Sequence, residues 1–112
     1  MTSPLFQVVA LNRIHEHWSD TAAEFVVQAH AEVQRVGEPG GEAFRVTIAS
    51  PSALVSELAS RDHIISGRGY VFLNDFDEPK VLHWLQRLVD GSGASTWDEL
   101  QRFVGQYFDW IE

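Results

Sequence analysis

The sequence contains no cysteine, only one lysine and no long uninterrupted apolar run. The lack of cysteine excludes disulfides, thiol nucleophiles and thiolate metal ligands. Eight Lys and Arg side chains stand against 16 Asp and Glu, so the formal net charge is −8. This balance argues against binding to nucleic acid phosphates or anionic lipid, which requires clustered basic residues. No stretch approaches the roughly 20 apolar residues of a membrane span, and the first residues lack the features of a signal peptide. We therefore expect a cytoplasmic protein.

A β-prone segment predicts a first strand, and alternating apolar and polar residues predict two more in the first half of the chain. The segment Gly37-Glu-Pro-Gly-Gly41 provides the turn between the second and third of these strands, because Gly tolerates positive φ and Pro presets a turn. The second and third strands therefore form a hairpin. The predicted strands are Leu5–Ile14, Glu24–Val36 and Glu42–Ala49.

Capping residues predict three helices in the second half. Ser50-Pro51 begins a helix to Ser60, and Asp77 caps a helix over Glu78–Asp90. Thr96-x-x-Glu99 matches a capping box at the start of a final helix that runs to about Trp110. A fourth strand, Tyr70–Leu73, separates the first two helices. The apolar positions predict buried stripes: Leu54, Val55 and Leu58 on the first helix, and Trp97, Leu100, Val104, Tyr107, Phe108 and Ile111 on the last.

The element order β-β-β-α-β-α-α predicts a single α+β domain over residues 1–112. A mainly antiparallel four-stranded sheet with about three helices on one side buries the apolar faces of both kinds of element.

The candidates for catalysis are few. His15 and His17 share one face of a strand and would hold a metal only with further ligands such as Asp20, His30 or His63. The alternative interpretation is two solvated histidines at a strand end. No nucleotide-binding glycine loop, nucleophile elbow or His-Glu-x-x-His motif is present. We therefore predict no metal, no cofactor and no enzyme, and a small metal-dependent hydrolase using His15 and His17 is kept as an alternative.

Tryptophans beside acidic residues are more informative. Trp18 lies between Glu16 and Asp20 in a polar segment predicted to be a loop, and Trp110 lies beside Asp109 near the end of the sequence. A Trp rimmed by carboxylates suits an interface with a basic partner, since the ring supplies buried area and the acids steer association. The alternative is that each ring folds onto the core and that the acids form a solvated face. The candidate binding residues are Trp18, Asp20, Asp75, Asp77, Glu78, Asp109, Trp110 and Glu112.

A set of short motifs follows in order from about residue 45 to the end: Ser50-Pro51-x-x-Leu54, Gly67-Arg68-x-Tyr70, Asp77, Thr96-Trp97-x-Glu99-Leu100 and Phe108-x-Trp110-x-Glu112. In their order and spacing these motifs resemble the immunity protein 8 family. The resemblance implies an α+β bacterial immunity protein that neutralises a cognate polymorphic toxin by direct, non-enzymatic binding. It assigns no toxin-contact residue, and a non-toxin adaptor remains an alternative.

Overall fold

A computed structural model describes residues 5–21, 23–61, 64 and 66–111. Three long strands, β1, β2 and β3, pair antiparallel in chain order. The far edge of β3 is shared by two short strands, β4 in parallel and β5 in antiparallel pairing. The elements are β1 Phe6–Trp18, β2 Phe25–Arg35, β3 Glu42–Ala49, α1 Pro51–Arg61, β4 Tyr70–Phe72, α2 Glu78–Gly91, α3 Trp97–Val104 and β5 Asp109–Ile111.

The core lies between one face of the sheet and helices α2 and α3. Every second residue of β2, from Phe25 to Val33, is buried on this face, as the pleat of a strand requires. Facing them are Val81, Leu85 and Val89 of α2. The cluster also contains Leu100 and Val104 of α3. The α+β fold with a mostly antiparallel sheet is therefore confirmed.

The C-terminal segment differs from the sequence prediction, because α3 ends at Val104 and a fifth strand follows. Long-range donors satisfy the carbonyl groups beyond the helix. The Arg68 guanidinium donates to the Gly105 oxygen at 2.8 Å, and the Gly69 N–H donates to the Tyr107 oxygen at 2.8 Å. The prediction of a helix to Trp110 was wrong because these partners lie far away in sequence. Tyr107, predicted to face inward, is exposed.

Helix α1 begins as predicted but packs differently. The Ser50 hydroxyl accepts from the Ala53 N–H at 3.3 Å and from the Phe25 N–H at 3.1 Å, so the cap also ties α1 to the start of β2. The predicted burial of Val55 and Leu58 was wrong, since Val55 is 66% exposed and Leu58 is also exposed. The core face is already occupied by α2 and α3, and none of the side chains described for α1 belongs to the core cluster.

Strand β1 extends past the predicted end at Ile14 to Trp18, with irregular pairing near Val9 and Ile14. Gln86 of α2 mimics a neighbouring strand along the outer edge of β1. Its amide oxygen accepts from the Val8 N–H at 2.7 Å, and its amide nitrogen donates to the Phe6 oxygen at 3.0 Å. This pairing fixes α2 along the first half of β1. Among the described residues, no helix is long and apolar enough to cross a membrane.

Candidate partner-binding surface

Trp18 belongs to an aromatic cluster at one end of the sheet. It is the last residue of β1 rather than part of a loop, and it pairs with Phe25, the first residue of β2. The Trp18 ring stacks on Phe25 with centroids 5.1 Å apart and meets the edge of Phe76 at 5.8 Å. Phe25 is buried, whereas Trp18 remains 38% exposed. The cluster therefore holds the indole ring in place while part of the residue stays exposed to solvent.

Arg13 links this cluster to the surrounding acids. Its guanidinium lies 4.5 Å from the centre of the Phe76 ring, a cation–π arrangement. It also pairs with Glu16 at 3.2 Å and Glu78 at 3.6 Å. The Trp18 indole N–H donates to Glu16 at 3.2 Å. The hydrogen bond to Glu16, which is itself paired with Arg13, therefore holds the polar edge of the Trp18 ring in position.

Two further acids at this end make no such contacts. Asp20 lies in the turn after β1, and Asp75 directly precedes Phe76. Neither side chain forms a hydrogen bond or ion pair with any residue that the structure describes. Asp77 has a structural role, since its carboxylate accepts from the Lys80 N–H at 3.1 Å and caps α2 as predicted.

We call this region the Trp18 surface. It carries five carboxylates and one guanidinium, a net charge of −4, which is half of the −8 of the whole chain. An acidic surface around a half-exposed Trp can attract a basic partner and bury the ring against it. It comprises Arg13, Glu16, Trp18, Asp20 and the segment Asp75–Glu78.

The second predicted region is built on Trp110, which lies within the fold. Its ring packs 6.1 Å from Phe44 and 6.2 Å from Trp97. Its indole N–H donates to the Glu42 carboxylate at 2.9 Å, and Gln101 donates to the same oxygen at 2.9 Å. The polar edge of the Trp110 ring is therefore already used by the protein itself.

Asp109, beside Trp110, is also engaged. Its carboxylate pairs with the Arg68 guanidinium at 2.6 Å. The hydrogen bond and the positive charge of Arg68 lower the pKa of Asp109 below its ordinary value. Because both side chains are exposed, this pairing contributes little to stability.

The structure separates the predicted binding residues into two places. Trp18 lies at the sheet end where Val26 pairs with Ala49, whereas Asp109 pairs with Arg45, four residues back along β3. At about 3.3 Å per residue, this offset is about 13 Å along the strand direction. Trp18, Asp20, Asp75, Asp77 and Glu78 therefore lie at one end, and Asp109 and Trp110 lie elsewhere. Glu112 lies outside the described residues.

The histidine pair shows no metal-binding arrangement. His15 and His17 pair with Gln28 and Val26 on the sheet face opposite the core. Within residues 5–21, 23–61, 64 and 66–111, no three His, Asp or Glu side chains are grouped so that they could hold a metal. The candidate ligand His63 falls outside these residues.

A cavity that the sequence reasoning missed lies beside the Trp18 surface. Its volume is about 600 Å³, and its walls come from β4, the residues that follow β4, and the first turns of α2. Two of its aromatic residues are substantially exposed, Trp84 at 49% and Phe72 at 41%. The signal in the sequence was Trp84, an aromatic beside the apolar stripe of its helix. The lining residues are Tyr70, Val71, Phe72, Leu73, Asn74, Lys80, Val81 and Trp84.

Comparison with known families gives one match. The model of the family described as Immunity protein 8 matches residues 6–111, which is nearly the whole chain. No significant match was found among the curated proteins or the solved structures. Since the match covers β1 to β5, the chain belongs to the immunity protein 8 family.

Proposed function

We propose that this protein is a cytoplasmic immunity protein that neutralises its cognate bacterial toxin by binding it directly, without catalysis. Membership of the immunity protein 8 family supports this function. The proposal places the toxin contact on the Trp18 surface. A protein of net charge −8 attracts a basic partner over a distance and raises the association rate.

The observation that carries the choice of surface is the environment of Trp18. Its ring is fixed by Phe25 and Phe76, yet the residue stays 38% exposed. Asp20 and Asp75 stand nearby with no partner among the described residues. A rigid, half-exposed Trp costs little conformational entropy when it is buried against a partner, and such residues dominate binding energies.

The proposal is tested with the toxin domain encoded next to this gene. Calorimetric titration at low and high salt should give a Kd that weakens as salt rises, because exposed charges are screened. Replacing Asp20 and Asp75 together by Lys should weaken binding at least tenfold and flatten the salt dependence. Replacing Glu38, in the turn after β2, and Asp98, on α3, by Lys gives the same charge change at exposed positions away from the Trp18 surface.

Two outcomes contradict different parts of the proposal. If the wild-type protein does not bind the adjacent toxin and does not protect cells that express it, the immunity function is wrong and a non-toxin adaptor is favoured. If it binds and both double variants weaken binding equally, the charge acts through the whole molecule and not through the Trp18 surface. A toxin contact at Asp109, Trp110 and Glu112 stays a separate prediction. It is tested by substituting Asp109 in the same titration.

A further inference from the structure

The cavity beside β4 follows the edge of a strand. Its lining includes every residue from Tyr70 to Asn74. Because side chains of a strand alternate between the two faces of a sheet, a cavity beneath one face would contact only every second residue. The opposite wall is formed by Lys80, Val81 and Trp84 of α2. The cavity therefore runs along the outer edge of β4, and α2 forms its opposite wall.

The backbone on this edge is available for pairing. The Thr47 N–H donates to the Gly69 oxygen at 2.8 Å, and the Leu73 N–H donates to the Ala49 oxygen at 3.2 Å. In a parallel ladder alternate residues bond the same neighbour, so the N–H and C=O of Phe72 point away from β3. No other strand in the described part of the chain pairs with this edge.

The side chains around the edge favour an apolar group. The rings of Tyr70 and Phe72 stack nearly parallel, with centroids 5.4 Å apart, and Trp84 faces the same cavity. A volume of about 600 Å³ lies in the range of pockets that bind ligands, roughly 300–1,000 Å³. Lys80, which is one of the lining residues, disfavours a cationic group inside the cavity. An aromatic or long aliphatic side chain satisfies these conditions.

The charges near the cavity indicate which kind of residue lies next to the apolar side chain of the occupant. Asn74 lines the cavity, and the next residue is Asp75, whose carboxylate has no partner among the described residues. Asp77 and Glu78 add negative charge on the same side. An occupant that leaves the cavity at this end therefore meets carboxylates, which favour Lys or Arg.

We infer that the outer edge of β4 takes up an extended segment of the toxin, which adds a strand beside Phe72, buries an aromatic or long aliphatic side chain against Trp84, and places a basic residue at Asp75. This inference rests on the proposed function and specifies its binding mode. Main-chain hydrogen bonds supply affinity in such strand addition, and pockets for alternate side chains supply specificity.

The test uses the full-length protein and the toxin domain encoded beside it. Trp84→Ala should raise the Kd at least tenfold while leaving the fold intact, because Trp84 is exposed and outside the core cluster. Tyr107→Ala is the matched control, since Tyr107 is 44% exposed and does not line the cavity. Its Kd should stay within about twofold of the wild type.

Amide hydrogen exchange gives a second readout that side-chain substitution cannot mimic. The Phe72 amide should exchange at least tenfold more slowly in the toxin complex than in the free protein. If the wild type binds the toxin but Phe72 is not protected and Trp84→Ala binds normally, this inference is wrong and immunity stands. If the wild type does not bind, the proposed function itself fails. If the free protein is a dimer that Trp84→Ala dissociates, the edge is occupied by a second copy and the inference is overturned.

Discussion

Trp18 and Trp110 have similar neighbours in the sequence but different surroundings in the fold. Each is flanked by acidic residues, and each indole N–H donates to a glutamate. For Trp18 that glutamate is Glu16, two residues away on an exposed strand end. For Trp110 it is Glu42, on a neighbouring strand, and the ring packs on Phe44 and Trp97. Each Trp lies across the sheet from a buried Phe, so the difference comes from the other contacts: Trp110 also packs on Trp97 and bonds Glu42 of β3, whereas the Trp18 N–H is bonded within its own strand.

The largest expected difference between the two regions is in stability. Trp110→Ala removes a ring packed on the core and one hydrogen bond, so it should cost about 3 kcal/mol of unfolding free energy. Trp18→Ala removes a half-exposed ring stacked on one side and should cost about 1 kcal/mol. Urea unfolding of both variants measures the difference. Equal losses would show that Trp18 is as integral to the fold as Trp110.

The two glutamates provide a second contrast. Glu42→Ala leaves the donors of Trp110 and Gln101 without their shared acceptor, which should cost about 1–2 kcal/mol. Glu16→Ala removes contacts among exposed groups and should cost less than about 0.5 kcal/mol. The same unfolding experiment compares them, and a larger loss for Glu16 would contradict the assignment of the Trp110 region to the core.

Two acids on the Trp18 surface, Asp77 and Asp75, should also differ in their contribution to stability. Asp77→Ala removes the N-cap of α2 and should cost about 1 kcal/mol. Asp75→Ala should leave stability within about 0.5 kcal/mol of the wild type, because no described residue bonds its carboxylate. Thermal unfolding of the pair tests this. Destabilisation by Asp75→Ala similar to that by Asp77→Ala would mean that Asp75 is needed for the fold.

The smallest expected effect concerns pH. Arg68 lowers the pKa of Asp109 in the folded protein, so this pair stabilises the fold above the ordinary pKa of the carboxyl. That contribution is lost as the pH falls through the lowered value. NMR titration should show the pKa of Asp109 rising in Arg68→Ala and unchanged in Arg87→Ala. No rise in Arg68→Ala would contradict the pairing.

The sequence predicts local features of this fold well and long-range ones poorly. Ser50, Asp77 and Thr96 each cap a helix as predicted, because capping depends on residues within one turn. The end of α3 could not be predicted, since Arg68 and Gly69 bond the Gly105 and Tyr107 carbonyl groups just beyond the helix from far away in the chain. The exposure of Val55 was missed because helical periodicity indicates an apolar stripe but not whether anything covers it.

The candidate site was predictable only as a list of residue types. The acids and tryptophans were recognised, but their division into two regions follows from strand pairing between β3 and β5. The cavity along β4 depends on how α2 lies beside a short strand, and only Trp84 hinted at it. Surfaces of this kind are formed by residues distant in sequence and are therefore seen only in the fold.

The most direct test of the central claim is the affinity of Trp18→Ala for the adjacent toxin domain, measured by calorimetry beside the wild type and the Tyr107→Ala control. We expect Trp18→Ala to raise the Kd at least tenfold while Tyr107→Ala stays within about twofold, with both variants folded. A wild-type Kd for Trp18→Ala would contradict the assignment of toxin binding to the Trp18 surface.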